Sequence, residues 1–215
     1  MTPLMYAAMS GRADNIEMIC WQLNDEVREI QKWDRKKFTA IGYAVFYGHK
    51  EAVRCLISHG AKKNMGFGND RMTPLMWAAA RGHYETVVEL VEEHKANVCG
   101  KDKFKRTPLI IAVMNGHMKI ASYLLQHGAE WMAPDSSNNT PLHYAAGYGW
   151  RQGIEMLVKA GADINAENSW RYTPINIGLL KNHVGVVKKL LEYENVNVNG
   201  KDESGWTLIS LSIVN

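Results

Sequence analysis

At 215 residues and 46% hydrophobic content, the chain is long enough to bury a sizeable core. Its net charge of +3 is too small to imply a polyanionic partner by itself. No run approaches the ~18 apolar residues that a membrane span needs, and Met1-Thr2-Pro3-Leu4-Met5 lacks the basic-then-apolar order of a secretory signal.

One phrase recurs along the chain, most fully as Thr140-Pro141-Leu142-His143-Tyr144-Ala145-Ala146. Variants begin at Thr2, Thr39, Thr73, Thr107, Thr173 and Thr207, so the spacings are 37, 34, 34, 33, 33 and 34 residues. A fixed period of this length marks a repeat solenoid. Within the phrase, threonine is a helix N-cap whose hydroxyl takes up an orphan amide. Proline at the first helical position loses no hydrogen bond. The pairs Ala78-Ala79 and Ala145-Ala146 let a neighbouring helix approach closely. The glycines of Gly48-His49, Gly82-His83 and Gly116-His117 permit a sharp turn out of that helix. A second amphipathic run, such as Lys119 to Leu125, ends at Gly128-Ala129 before a polar loop leads to the next threonine.

In chain order, unit one starts at Thr2 and has a long second helix predicted over Asn15 to Lys32, with Trp21 and Trp33. Unit two has Thr39-Ala40-Ile41-Gly42 in place of Thr-Pro-Leu-His and ends at Ser58-His59-Gly60-Ala61. Its following loop, Lys62 to Met72, holds Gly66-Phe67-Gly68 and is one residue longer than its peers. Units three and four keep to the pattern. Unit five has Gly149-Trp150 where histidine is expected, and Gly153 inside its second helix. Unit six reads Thr173-Pro174-Ile175-Asn176, then Gly178 and Asn182-His183, and the seventh starts at Thr207. The first and last units are incomplete, so the array is expected to belong to a longer chain whose further parts cover its apolar ends.

These residues resemble the ankyrin repeat, whose signature is T-P-L-H-x-A at a period of 33. The phrase, the Gly-His, the paired aliphatics and the Gly-Ala recur together over essentially the whole chain. The resemblance implies an all-α repeat solenoid, a single array over 1–215 of stacked helix-turn-helix units with projecting loops or β-hairpins. It also implies a non-catalytic scaffold that binds another protein on its concave face. The alternatives are a targeting or regulatory arm of a larger enzyme or channel, and a structural component of a cytoskeletal assembly.

The residues give no competing chemistry. There is no nucleophile elbow, Walker loop, HExxH or CxxC pair, and no catalytic, cofactor or metal residue is expected. His49, His83 and His117 recur at equivalent places in successive units and read as structural, since metal ligands must converge. His143 resembles the family's hydrogen-bonding bridge between repeats. Gly66 to Arg71 lacks the lysine and preceding strand of a phosphate loop and reads as a tight turn. Cys20, Cys55 and Cys99 are too few and scattered for a disulfide framework. Cys20 and Cys55 read as buried thiols, and the expected setting is intracellular, in the cytoplasm.

The resemblance places the binding surface on the loop tips just before each threonine and on the exposed part of each first helix. The tips offer Arg35, Lys36 and Phe38; Asn69, Asp70 and Met72; Lys103, Phe104 and Arg106; Ser136, Ser137 and Asn139; Ser169, Trp170 and Tyr172; Glu203 and Trp206. The helices offer Met9, Phe46, Tyr47, Arg81, Met114, Asn115, Tyr148, Leu180 and Lys181. Interfaces favour aromatic and arginine anchors. The candidate set is therefore Arg35, Lys36, Phe38, Phe46, Tyr47, Met72, Arg81, Lys103, Phe104, Arg106, Met114, Tyr148, Trp170, Tyr172 and Trp206. Tyr6, Tyr43, Trp77 and Tyr144, one turn into the first helices, are expected in the core. Basic stretches at 32–37 and 101–106 raise a nucleic-acid alternative. Asp34 and Asp102 interrupt both, and an acidic protein surface is the better complement.

Overall fold

The computed structural model describes residues 1–23, 27–199 and Gly205. Glu203, Trp206 and the unit from Thr207 lie outside the described residues. The chain divides into two compact units, Met1–Pro108 and Leu109–Asn215. The first holds α1 (Pro3–Met9), α2 (Ala13–Gln22), α3 (Val27–Ile30), α4 (Ala40–Phe46), α5 (Lys50–Ser58), α6 (Pro74–Arg81) and α7 (Tyr84–Val88), which runs on into a π-helical turn over Glu89–Glu93. Next, α8 (Pro108–Met114) carries the chain into the second unit, with α9 (Met118–Gln126), α10 (Pro141–Gly147), α11 (Arg151–Lys159), α12 (Pro174–Leu180) and α13 (Val184–Leu191). Among the described residues there is no strand, only an isolated antiparallel bridge between Phe67 and Met72. The fold is an all-α repeat solenoid.

Helices this short do not persist alone in water, so caps and packing must hold them. Thr2, Thr39 and Thr73 accept from the third-residue amides of α1, α4 and α6. First helices then pack on first helices, α1 on α4, α4 on α6 and α10 on α12, and second on second, α2 on α5 and α11 on α13. Ala8, Ala44, Ala78, Ala79, Ala145 and Ala146 are fully buried along these contacts.

In three of the described turns after a first helix, a histidine couples neighbouring repeats. His49 Nε2 donates to the Met9 carbonyl at 3.1 Å, His83 to Phe46 at 3.0 Å and His183 to Gly147 at 3.0 Å. Each acceptor belongs to the preceding repeat. A Cβ on that repeat's turn glycine would meet the ring at 2.6 Å for Gly11 and Gly48 and at 2.8 Å for Gly149. Glycine is needed there twice over, for its positive φ and for the space. In unit five Trp150 replaces the histidine. Its ring, 8% exposed, folds over Gly153, where a Cβ would fall 2.1 Å from a ring carbon. The glycine inside α11 is thus the seat of that tryptophan.

Equal spacings hide different insertions. The Gly-Ala turn closes with a backbone bond spanning five residues at Ala61 to Leu56, Ala129 to Leu124 and Ala162 to Leu157, but six at Ala96 to Leu90. Unit three absorbs its extra residue as the π-helical turn, with the His94 amide donating to the Glu89 carbonyl. Lys95, φ 50°, makes the left-handed step that Gly60, Gly128 and Gly161 make elsewhere. In unit two the extra residue lies in the following loop. The π turn carries Glu89, 4% exposed, whose carboxylate accepts from Arg54 Nε at 2.8 Å and Nη2 at 2.7 Å across the repeat boundary. Arg54 holds the Glu89 carboxyl below the usual carboxylate range.

Three expectations are corrected. The helix expected over 15–32 is in two described pieces, α2 with its C-cap at Leu23, and α3. Tyr6 is 55% exposed rather than core. Tyr43 is buried and Tyr144 half-buried, each with its hydroxyl donating at 2.6 Å to an aspartate nine residues upstream, Asp34 and Asp135. Cys55 is half-buried, its thiol 3.8 Å from the Ala13 carbonyl, whereas Cys20 is fully buried.

Gly153→Ala should lower stability in urea melts, because overpacking costs about 1–3 kcal/mol. In a Trp150→Ala background the same change should instead stabilise by about 1 kcal/mol through helix propensity. A destabilisation of equal size in both backgrounds would refute the Trp150 seat.

Arg54→Met should lower stability at pH 7, because it leaves the buried Glu89 carboxylate without its partner, though by less than breaking a fully buried pair since Arg54 is itself exposed. Because the folded pKa of Glu89 is depressed, its contribution is complete above the unfolded carboxylate value and is lost as pH falls through the folded one. The gap between wild type and variant in urea melts should therefore narrow on acidification. A gap constant with pH would show that the ion pair is not its source.

Candidate partner-binding surface

Four of the described tips are built around the residue five positions before the threonine; in the tip at 68–72 that residue is Gly68, which has no side-chain acceptor, and Phe67 N donates to Met72 O instead. Asp34 Oδ1 accepts from the Lys36 and Phe38 amides, each at 2.9 Å. Asp102 does the same for Phe104 and Arg106, Asp135 for Ser137 and Asn139, and Asn168 for Trp170 and Tyr172. A backbone bond closes each turn, as from Asp34 N to Phe38 O at 2.9 Å. Tips form five-residue turns rather than β-ladders. Although burial pushes the Asp34 carboxyl up, the Tyr43 hydroxyl and two backbone amides hold it below its ordinary range. Burial and the same aspartate push the Tyr43 phenol up to about 12.

The residue two before the threonine is left-handed in all five described tips: Lys37 (φ 60°), Arg71 (55°), Lys105 (60°), Asn138 (59°) and Arg171 (59°). Gly205, in the same place before Thr207, has φ 78°. For a side chain with a Cβ this conformation costs roughly 1–2 kcal/mol per residue. Lys37, Arg71, Lys105 and Arg171 are exposed and were absent from the sequence-based candidates. Their signal was present, since basic residues stand where the last unit has glycine.

In the first unit, Arg35, Lys36, Tyr47, Arg81, Lys103 and Phe104 are exposed. Phe104, 41% exposed, has Lys103 Nζ and Arg106 Cζ over its ring, each 4.7 Å from the centroid. Arg106 is largely buried against Asp102 at 2.7 Å, and Lys103 pairs with Asp70 at 2.7 Å. That lysine holds the Asp70 carboxyl below its ordinary value. Met72 is 6% exposed and belongs to the interior, a correction to its place among surface residues, because its carbonyl is drawn into the bridge with Phe67. Phe38 and Phe46 are half-buried in an aromatic cluster: the Phe38 ring lies 5.3 Å from Tyr43, 6.0 Å from Phe46, 5.1 Å from Phe67 and 5.2 Å from Trp77. Arg81 lies 4.5 Å over Phe46 and offers that edge a cation.

Phe67 was also missed, and it explains two sequence anomalies together. A Cβ on Gly42 would come within 2.8 Å of its ring. Gly42 occupies the slot that His143 fills in unit five. The extra residue of the long loop is therefore the side chain that fills the space Gly42 leaves.

In the second unit, Tyr148 (55% exposed) and Trp170 (48%) face solvent, while Met114 and Tyr172 are half-buried. His143 is 1% exposed. Its Nδ1 accepts from the Thr140 amide at 3.1 Å, so its Nε2 carries the proton and donates to the Tyr172 carbonyl at 3.0 Å. Burial pushes its pKa down, which suits that neutral bridge. Beside it, Asn139, Tyr144, Gly147, Tyr148, Ile177 and Lys181 line a recess of about 350 Å³. Trp206 lies outside the described residues. No helix among the described residues is long and apolar enough to cross a membrane.

Comparison with known families matches the model for ankyrin repeats (3 copies) at residues 4–102 and 75–168, and that for ankyrin repeats (many copies) at 157–212. The structure is similar to the ankyrin repeat domain of human ASB11, with TM-score 0.82 and 23% identity over 99% of this chain and 92% of that one. Among curated proteins, a poly [ADP-ribose] polymerase tankyrase of Caenorhabditis elegans is 41% identical over 80 residues, 35% of this chain and 4% of that protein. Human Rabankyrin-5 is 31% identical over 68 residues, 32% of this chain and 6% of its own length. The chain thus spans a small fraction of these relatives.

Phe67→Ala should lower stability by about 3–5 kcal/mol, the usual cost of emptying an aromatic core site. It should also speed tryptic cleavage at Arg71. An unchanged urea midpoint with an unchanged cleavage rate would show that Phe67 does not anchor the loop.

Proposed function

Because the chain belongs to the ankyrin-repeat family, we propose that it is a non-catalytic scaffold, a single array over 1–215 that binds a partner protein through its loop tips and the concave face formed by its first helices. The observation that carries this reading is Phe104, a large apolar ring held partly in solvent with two cations against it rather than folded away. Trp170 and Tyr148 add exposed aromatic surface. Rigid aromatics bury large area at little entropic cost. The tip backbone is fixed by its own hydrogen bonds, so little ordering remains for binding.

A second reading, in which the array is a targeting or regulatory arm of a larger protein, is favoured by the relatives, of which it spans 4–6%. It leaves the binding surface unchanged. The setting we infer is the cytoplasm.

Pull-down from native extract should capture a partner with the wild-type chain and lose it with Phe104, Trp170, Tyr172 and Trp206 changed to alanine, while circular dichroism shows both equally helical. Capture of the same partners by both would overturn the aromatic-tip site.

A further inference from the structure

We propose that Lys37, Arg71 and Lys105, in a row along the tips of the first unit, form a docking strip for an extended acidic segment of the partner protein. This rests on the reading of the tips as the binding surface and adds the chemistry of what they hold. The tips adjoin through backbone bonds, Gly68 N to Lys37 O at 2.8 Å and Lys103 N to Asp70 O at 2.9 Å. The three cations therefore stand on consecutive, connected turns.

Charge is concentrated there. The tips at 34–38, 68–72 and 102–106 carry seven Lys and Arg against three Asp, net +4, more than the +3 of the whole chain. The tips at 135–139 and 168–172 carry one cation and one acid. The three aspartates do not neutralise the row. Asp34 and Asp102 hold their own turns, and Asp70 is engaged by Lys103 and Arg106. Lys37, Arg71 and Lys105 are exposed, and none of them makes an ion pair among the described residues.

Conformation supplies the second argument. All three cations stand at left-handed φ, where Gly205 shows the relaxed alternative within the same chain. Folding alone is better served by glycine at that position. The charge sits where the backbone opposes it, as at sites that strain is kept to serve. Acidic peptide fits better than nucleic acid, because base stacking needs open aromatic faces. Phe38 is packed within the aromatic cluster, and the Phe104 ring is already engaged by Lys103 and Arg106.

The test uses the full chain and a short fluorescein-labelled peptide rich in Glu and Asp, with a single-stranded oligonucleotide of equal charge alongside. Two variants remove the row: Lys37→Gly/Arg71→Gly/Lys105→Gly relieves the strain, and the corresponding triple Gln variant keeps it. A control, Arg12→Gln/Arg28→Gln/Lys62→Gln, removes as much charge elsewhere on the first unit. Both row variants should lose about tenfold or more in peptide affinity, as expected for removal of complementary charge. The control should bind as wild type, and the glycine variant should melt at a higher temperature. Wild-type affinity in either row variant, or an equal loss in the control, would sink the strip. Tighter binding of the oligonucleotide than of the peptide would overturn the assignment to an acidic protein. A native partner still captured by the row variants but lost with the aromatic alanine variant would end this proposal and leave the scaffold reading standing.

Discussion

Units two, three and six are each locked to the unit before by an atom that is missing. The turn glycine leaves the space of a Cβ empty, and the next repeat's histidine lays its ring there and donates to the carbonyl at the end of the preceding first helix. This contact sets spacing and register at once, because only one ring position satisfies both the void and the acceptor. Helices of ten residues or fewer are marginal by themselves. Their persistence therefore depends on neighbours being held at this distance. In a solenoid, where each unit touches only its neighbours, such interface contacts are where cooperativity resides.

The departures from the pattern follow the same logic. Trp150 cannot make the histidine bond, and Gly153 supplies the room its larger ring needs. Gly42 lacks the side chain of the His143 slot, and Phe67, brought by one additional loop residue, fills the gap from the next tip. Unit three takes its extra residue into the second helix as a π turn, which places Glu89 against Arg54. In each case a local irregularity is matched by a partner about one repeat or one helical turn away.

Much of this was legible in the sequence. Period, caps, the Gly-His turns and the Gly-Ala ends follow from residue types whose backbone preferences are strong and local. The pairings of Gly42 with Phe67 and Trp150 with Gly153 were visible only as separate anomalies, since complementarity between side chains has no sequence period. Spacing alone also treated units two and three alike, although one carries its insertion in a loop and the other in a helix. At the tips, Asp34 and Asp102 read as charges interrupting basic runs, whereas they fasten the turns through backbone amides. Met72 and Phe38 read as exposed because they border a tip, yet the long loop and the aromatic cluster draw them inward.

That fastening has a consequence for how the surface carries chemistry. Where the carboxylate or amide five places before the threonine accepts two backbone bonds, the turn is held through backbone amides and does not depend on which side chain stands two places after that acceptor. Ser137, Trp170, Phe104 and Lys36 can therefore occupy like places on like backbones. The position two before the threonine is different, because its φ is imposed by the turn and resists every residue with a Cβ. Variation two places after the acceptor says little about purpose, since the turn is indifferent to it. A cation at the left-handed position is informative because the fold is not indifferent, and three of them on successive turns concentrate that cost on one edge of the first unit.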